Sequence, residues 1–571
     1  MTVSGLVPKP VKPRQLVNEW LLKLYACALC GLILLFLVLH WARLLAIKYR
    51  WSTSSPLRRL PGFRIVLAAC RASRRCAARQ VPVYPSLGHA VLIAVYLIMN
   101  VVLSFVYVDF SKLSNLASRL GWVAAANITL SVFFGLRNTP LALFSTYSYN
   151  RLNVLHRAVG YIAIGLTALH AVVYMVHFNS RHRWNIFIER PNLEGSIAGV
   201  GMLVLLLGTL RQIGYEIFYL THIVGCIITI LFTALHRPFW IETIPIIMVV
   251  AAVLWGLDRL IRAMSLVSNL HKNEAAIYPL QKGGIRLLFK RPAAKAVPGS
   301  HCFVWIPGIR AFEGHPFTVV SNTSSGLELI IKTYDGFTKD LYAYACLNPG
   351  TSIQASIEGT YGSFPNLAHY DRIILVAGGS GAAFTFPLVN SLLRDFEPGS
   401  TQLVDFIWAV KEKENLSWFA KHLDDLSCYP THVSVALHVT SDTRAASTHQ
   451  PNSPTADGDE DPLLSRETYG TFKTPQYLNG NGGLNGGTDH NKQQNWALEP
   501  VELNDHFKIK YEKLNVEDTV CELMESIGVD ERVLIAGCGP PGLMKDIKTV
   551  AGRCIRTNGP SIDIHCEDFG W

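Results

Sequence analysis

Residues 152–172 read LNVLHRAVGYIAIGLTALHAV and residues 218–238 read FYLTHIVGCIITILFTALHRP. Each run is apolar enough to cross a bilayer, which takes about 20 residues of helix. Each also carries two histidines 14 residues apart: His156 and His170 in the first, His222 and His236 in the second. Fourteen residues at ~100° each fall about 40° short of four full turns, so each pair lies on one helix face, separated by a rise of roughly 21 Å. Burying an ionisable side chain in hydrocarbon is costly, and four histidines at matched depths therefore point to function. Two facing pairs result. A facing pair of imidazoles can supply both axial ligands of a haem iron, and two levels would hold two haems across the membrane. Interhelical hydrogen bonding is one alternative. A zinc or copper site is another, since imidazole suits those metals, but it needs three or four ligands in one sphere and the spacing supplies two per level. His40 and His89 have no equally spaced partner on their own helices and read as structural.

Outward from these helices, the chain of 571 residues is 50% hydrophobic and 16% charged, which excludes an ordinary single soluble domain. The spanning-length runs crowd into the first 265 residues, at 18–46, 86–108, 120–138, 154–177, 196–213, 215–236 and 241–262. The first is longer than a signal-peptide core and is expected to be retained as a helix. The net charge of +10 could suggest nucleic acid, yet nine of the basic residues, Lys48, Arg50, Arg58, Arg59, Arg64, Arg71, Arg74, Arg75 and Arg79, share one loop without an acid. That loop reads as a topology signal, so no nucleic-acid partner is expected. It places the N-terminus outside and everything beyond about residue 265 in the cytosol, against the opposing Arg181, Arg183 and Arg190. Cys27 and Cys30 lie within a span without a second pair and make a poor metal or redox motif.

After Arg262 the texture changes. Short alternating segments such as Ile285–Lys290 and His301–Ile306, punctuated by Pro and Gly, predict a small antiparallel barrel to about residue 365. The runs Arg372–Gly381, Val404–Val410 and Arg532–Pro541 then read as buried strands of a parallel α/β sheet. The turn Gly378-Gly379-Ser380-Gly381 between a strand and a helix can cradle a pyrophosphate. A second strand end, Gly537-Cys538-Gly539-Pro540, would share its carboxyl edge, where ligands of open α/β folds collect. His315-Pro316-Phe317-Thr318 offers backbone and a hydroxyl to a flat aromatic ligand, and Lys332 with Thr338 offers a cation and a hydroxyl to a phosphate, an ordinary hairpin being the alternative. Residues 441–500, rich in Pro, Ser, Asn and Gly, read as a disordered insertion without catalytic residues.

Together these residues resemble the fungal ferric reductases, transmembrane flavocytochromes b related to NADPH oxidases. The resemblance rests on both histidine pairs, His315 to Thr318, Glu358-Gly-Thr-Tyr-Gly362, Gly378 to Gly381, Cys538 to Pro540 and Glu567-Asp-Phe-Gly-Trp571, in that order along the chain. It implies a bundle of about seven spans followed by a cytosolic ferredoxin-reductase-like module. The divisions would be an N-terminal helix and basic loop at 1–85, a six-helix bis-haem domain at 86–265, an antiparallel β-barrel FAD domain at 275–365 and an α/β NADPH-binding domain at 366–571.

The implied electron path runs from cytosolic NADPH to FAD, then through two b-type haems to an acceptor outside. The resemblance makes His156, His170, His222 and His236 haem ligands and sets His315, Pro316, Phe317 and Thr318 against the flavin. It gives Gly378, Gly379, Ser380 and Gly381 the NADPH phosphates and brings Cys538 beside the nicotinamide. Phe569 would cover the flavin ring, with Trp571 as the alternative. Lys411 and Lys413, just past the second strand of the sheet, could meet a 2′-phosphate, simple solvated surface being the alternative. Expected acceptors are ferric chelates or siderophores and cupric ion, at the plasma or the vacuolar membrane, with an iron permease and oxidase uptake system as partner. Dioxygen reduction to superoxide is the runner-up, and a haem-less transporter with a degenerate reductase domain is a third reading. His177, His182 and Arg183 could line an acceptor site, although ordinary surface is the plainer account.

Overall fold

The computed structural model describes residues 13–49, 61–145, 149–207, 215–236, 243–271, 273–293, 296–362, 364–396, 400–441, 507–556 and 559–568. The 441–500 insertion beyond its first residue, together with Phe569 and Trp571, lies outside the described residues. The first half is helical: α1 (Pro13–Lys48), α2 (Pro61–Ala78), α3 (Leu87–Phe105), α4 (Leu113–Gly135), α5 (Pro140–Ser145), α6 (Tyr149–Ser180), α7 (Arg190–Leu206), α8 (Tyr215–Leu235) and α9 (Thr243–Leu270). Among the described residues six of these, α1, α3, α4, α6, α8 and α9, are long and apolar enough to cross a membrane. The span expected at 196–213 corresponds to α7, whose described part has 17 residues and ends where residues 208–214 leave the description. The basic loop departs from expectation, because residues 61–78 form a helix. Pro61 suits a first helical position, and the Ala-rich, Gly-poor run behind it favours continuation.

At the centre of the bundle α4 is the most enclosed span, and it buries polar side chains as well as apolar ones. Ser118, Arg119 and Asn127 each find a partner, as a water-free interior demands. Arg119 Nε donates to Asn18 Oδ1 at 2.6 Å, and Asn127 Nδ2 donates to Asn100 Oδ1 at 2.7 Å. Tyr96 links Asn127 to Tyr25, whose hydroxyl lies 2.9 Å from its own.

The second half holds two sheets. Strands β1 (Glu274–Leu280), β2 (Gly284–Phe289), β3 (His301–Trp305), β4 (His315–Thr323), β5 (Gly326–Lys332), β6 (Ser352–Gln354) and β7 (Ser356–Tyr361), with α10 (Phe337–Leu347), form an antiparallel sheet in the order β6-β1-β2-β5-β4-β3-β7. Its alternating side chains enclose Ile277, Leu287, Val304, Val319 and Leu329. Then come β8 (Arg372–Gly378), α11 (Ala382–Arg394), β9 (Leu403–Val410), α12 (Ala420–Ser427), β10 (Val433–Val439), β11 (Ile509–Lys510), α13 (Val516–Glu525), β12 (Arg532–Gly539), α14 (Pro541–Cys554) and β13 (Ser561–Asp568). They build a parallel sheet ordered β11-β10-β9-β8-β12-β13. Strand order reverses between β8 and β12, so the crevice at their carboxyl ends is the topological switch point.

Two buried carboxylates tie this half to the helices. Glu358 on β7 accepts from Arg137, just past α4, at 2.8 Å and from Arg262 on α9 at 2.7 Å. Asp563 on β13 accepts from Arg43 of α1, from Arg74 of α2 at 2.8 Å and from the Tyr370 hydroxyl at 3.0 Å. Arg74 also donates to the Ile562 carbonyl, and Arg71 to that of Gly559.

Candidate functional site

The 3.6-residue repeat of α6 and α8 brings the four histidines together as two facing couples. His156 and His222 have ring centres 6.1 Å apart with planes crossed at 66°. For His170 and His236 the values are 6.3 Å and 89°. Two metal–nitrogen bonds of about 2 Å, with about 1 Å from each nitrogen to its ring centre, span roughly 6 Å. The couples therefore fit one iron each, held from opposite sides. Among the described residues no three His, Cys, Asp or Glu side chains converge as a metal site, so the geometry favours pairwise ligation over a zinc or copper sphere.

Three of the four rings are anchored by main chain. His156 Nδ1 donates to the Ser131 carbonyl at 2.9 Å, His170 Nδ1 to that of Ala117 at 2.7 Å and His236 Nδ1 to that of Pro191 at 2.5 Å. A carbonyl can only accept, so the proton sits on Nδ1, and the Nε2 lone pair is left for a metal. His222 Nδ1 is buried and has no hydrogen-bond partner among the described residues. The two comparison histidines behave as structural groups: His89 meets Ser86 Oγ at the start of α3 at 2.8 Å, and His40 stacks on Phe36.

In the barrel, β4 places His315 to Thr318 beside the start of α10. His315 stacks on Phe337 with centres 4.4 Å apart and planes 12° apart, while Thr318 is buried. His315 Nε2 also lies 3.1 Å from the Glu313 carboxylate. Lys332 is exposed at the end of β5, its ammonium 5.2 Å from the Tyr334 ring centre. The Thr338 hydroxyl donates to the Tyr334 carbonyl at 2.9 Å and accepts from the Tyr334 amide at 2.8 Å, so it closes its own turn. The expected phosphate contact thus has its hydroxyl committed locally.

At the switch point the two glycine turns pack against each other. Gly378 to Gly381 leads from β8 into α11, and β12 runs beside β8 with Cys538 opposite Ala377. A Cβ on Gly381 would lie 2.1 Å from the Cys538 carbonyl oxygen, and one on Gly378 would lie 2.7 Å from Pro540. A Cβ on Gly537 would meet Ile547 at 2.8 Å, and Gly539, at φ +159°, one would meet Gly378 at 3.0 Å. Only glycine permits this approach. The Cys538 side chain is fully buried, whereas Pro540 is exposed at the mouth. Lys411 and Lys413 are exposed just past β9, on the same carboxyl edge. His177 ends α6 half-buried, with His182 and Arg183 exposed beyond it.

Several residues escaped sequence reasoning. Trp408 donates from its indole to the Gly379 carbonyl at 3.0 Å and so braces the turn. His301 lies under Tyr361 and Phe303, and its burial pushes the imidazole down to about 4. Glu358 stood in a quoted motif, but nothing in that motif names its two arginines. For the main-chain anchors a signal did exist: Gly121 and Gly135 on α4 repeat the 14-residue interval of the histidines.

Residues 120–233 match the model of the ferric reductase like transmembrane component, 268–364 an FAD-binding domain and 370–551 the ferric reductase NAD binding domain. The chain is similar to the probable cell surface ferric reductase kap2 of Aspergillus oryzae, at 26% identity over 60% of this chain and 50% of that one. Ferric/cupric reductase transmembrane component 2 of Schizosaccharomyces pombe aligns at 24% identity over 55% of this chain and 64% of its own length. Ferric reductase transmembrane component 6 of Saccharomyces cerevisiae aligns at 26%, over 59% and 48%. The chain thus spans between about half and two thirds of the length of these relatives.

Proposed function

We propose that this chain, which belongs to the ferric reductase family, takes electrons from NADPH and passes them one at a time across the bilayer to a ferric chelate, with cupric ion as a second acceptor. The observation that carries the reading is the two facing imidazole couples at two levels of one bundle. When bound, the flavin converts a two-electron donor into single-electron steps, and two haems divide a hydrocarbon layer of ~30 Å into shorter transfers.

The chain's own residues position these groups. His156 with His222 and His170 with His236 present their Nε2 atoms, with three tautomers set by main-chain carbonyls. His315, Pro316, Phe317 and Thr318 line the flavin edge of the barrel, and Lys332 and the start of α10 stand at its phosphate end. Gly378, Gly379, Ser380, Gly381, Gly537, Gly539 and Pro540 shape the crevice for the NADPH pyrophosphate, and Lys411 and Lys413 supply the charge that favours a 2′-phosphate. Cys538 takes the nicotinamide side, and Phe569, or alternatively Trp571, covers the flavin. With the N-terminus outside the plasma membrane, outward electron movement runs with the inside-negative potential, worth ~2.3 kcal/mol per 100 mV. In this reading siderophores are among the ferric chelates reduced, and the ferrous iron is passed to a permease and oxidase uptake system.

The test is ferric-chelate reduction by purified protein in liposomes with NADPH and FAD, under air and under nitrogen, with and without superoxide dismutase. Reduction that persists anaerobically and ignores dismutase, and that is lost in His170→Ala along with one of two haems per chain, is the expected result. Reduction that disappears under nitrogen or with dismutase would make superoxide the product and overturn the assignment.

A further inference from the structure

We propose that Gly121, Gly135 and Gly195 are positioning residues for the haem ligands, each baring one helix carbonyl so that a histidine on a neighbouring helix can dock on it. The inference rests on the reading of the four histidines as ligands.

The three contacts obey one rule. His170 sits against Gly121 and donates to the carbonyl of residue 117; His156 sits against Gly135 and donates to that of 131; His236 sits against Gly195 and donates to that of 191. In every case the accepting carbonyl lies four residues before the glycine. Helix geometry explains the interval. A side chain leans toward the helix N-terminus and covers the preceding turn, so the side chain at position i shields the carbonyl at i−4. With no side chain at i, that turn is open and the imidazole takes the vacant place.

The tolerances differ between levels. An alanine Cβ at Gly121 would lie 2.7 Å from both Nδ1 and Cε1 of His170, and one at Gly195 would lie 2.6 Å from Nδ1 and 2.8 Å from Cε1 of His236. Separations under 3 Å force the ring to move. At Gly135 the distances to His156 are 3.2 and 3.3 Å, which a shift of a few tenths of an ångström relieves. The His170–His236 couple is thus held by two tight glycines on two different helices, α4 and α7, and the His156–His222 couple by one looser contact. A ring that moves loses the Nδ1 hydrogen bond, and with it ring-plane orientation and ligand basicity.

The experiment uses full-length, haem-loaded protein and reads low-spin EPR of the oxidised form, potentiometric titration of each haem, and haem transfer to apomyoglobin. Gly121→Ala and Gly195→Ala should shift the signal and potential of the haem that His170→Ala removes. They should also weaken its retention by about 10- to 100-fold, the usual effect of losing such a supporting contact, and leave the other haem as it was. Gly135→Ala should move only the haem that His156→Ala removes, and by less. It is the mild variant, so it decides the matter if the tight ones fail to accumulate. Gly165→Ala on α6, where an added Cβ meets nothing within 4 Å, is the control and should change neither haem. The proposal is overturned if the glycine variants keep the wild-type signals, or if Gly165→Ala alters them equally. A wild-type protein lacking two low-spin haem signals would instead defeat the ligand assignment beneath it.

Discussion

Replacing Glu358 with glutamine keeps the shape of the side chain and removes one charge from the seam between the helices and the barrel. The carboxylate accepts from Arg137 Nη1 at 2.8 Å, from Arg262 Nε and Nη2 at 2.7 and 3.2 Å, and from the Tyr361 hydroxyl at 2.9 Å. It is 3% exposed, and the two arginine side chains 13% and 12%. Deleting one member of a buried ion pair costs about 3–5 kcal/mol, mainly because the surviving charge is stranded. Here two guanidiniums lose their shared carboxylate; Arg137 also stacks on Phe303, at 3.5 Å, and Arg262 still feels Tyr219 and Asp258. A loss of about 4 kcal/mol in a unit of 150–250 residues lowers its unfolding temperature by roughly 8–16 °C. Burial by itself would raise the Glu358 carboxyl, but the Arg262 and Arg137 contacts outweigh it and hold it below its ordinary value. A depressed carboxylate stabilises above the unfolded value near 4.5 and loses that effect as pH falls through the folded value. The gap between wild type and Glu358→Gln should therefore be constant from pH 7 to 5 and close only in stronger acid. Flavin fluorescence during heating of purified, FAD-loaded protein measures both effects. A variant that melts within about 2 °C of wild type, or a gap that closes already between pH 7 and 5, refutes the reasoning.

Two further outcomes are expected. His301, held down at about 4 by burial first and by the Arg137 charge, against the pull of Glu567, stays neutral when folded but takes a proton when unfolded near 6.5. Stability should then fall by roughly 3 kcal/mol as pH drops from 6.5 to 4, and His301→Gln should flatten that limb in acid-unfolding curves. Gly381→Ala places a Cβ 2.1 Å from the Cys538 carbonyl oxygen and should wedge β8 from β12, at about 3 kcal/mol or more. Stopped-flow reduction of bound flavin by NADPH should be lost in that variant while both haem spectra persist.

Features that repeat at a helix or strand period were legible in the sequence. The 14-residue interval places His156, His170, His222 and His236 because four turns of helix return almost to the same face. Arg372 to Gly378 and Arg532 to Gly539 announce buried parallel strands because both their faces are covered. Where partners lie far apart along the chain, local pattern is silent. The basic loop carried a charge signal for topology, but not the fact that Arg71 and Arg74 would lie on a helix and reach the Gly559 carbonyl and β13. Glu358 was visible as a motif letter and invisible as the counter-ion of Arg137 and Arg262. Thr338 shows another side of the same limit: a hydroxyl near a turn glycine suggested a phosphate contact, and the sequence did not announce that this hydroxyl also bonds the Tyr334 main chain. Gly121 and Gly135 were readable in principle, but a glycine within a span is usually assigned to helix packing rather than to a carbonyl it exposes.

The ion pair between Arg43 and Asp563 joins residues 520 positions apart. At 5–20 residues per second, a ribosome takes about half a minute to two minutes to cover that interval. Throughout that time α1 and α2 already exist, with Arg43 and Arg74 waiting for a carboxylate that has yet to be made. Strand β13 likewise completes the edge of a sheet whose other strands have emerged before it. The earliest helices therefore reach their final electrostatic environment only once Asp563 has been translated and β13 has docked on β12. A nascent chain stalled before residue 563 would lack both the carboxylate that Arg43 and Arg74 share and the strand that covers the β12 edge.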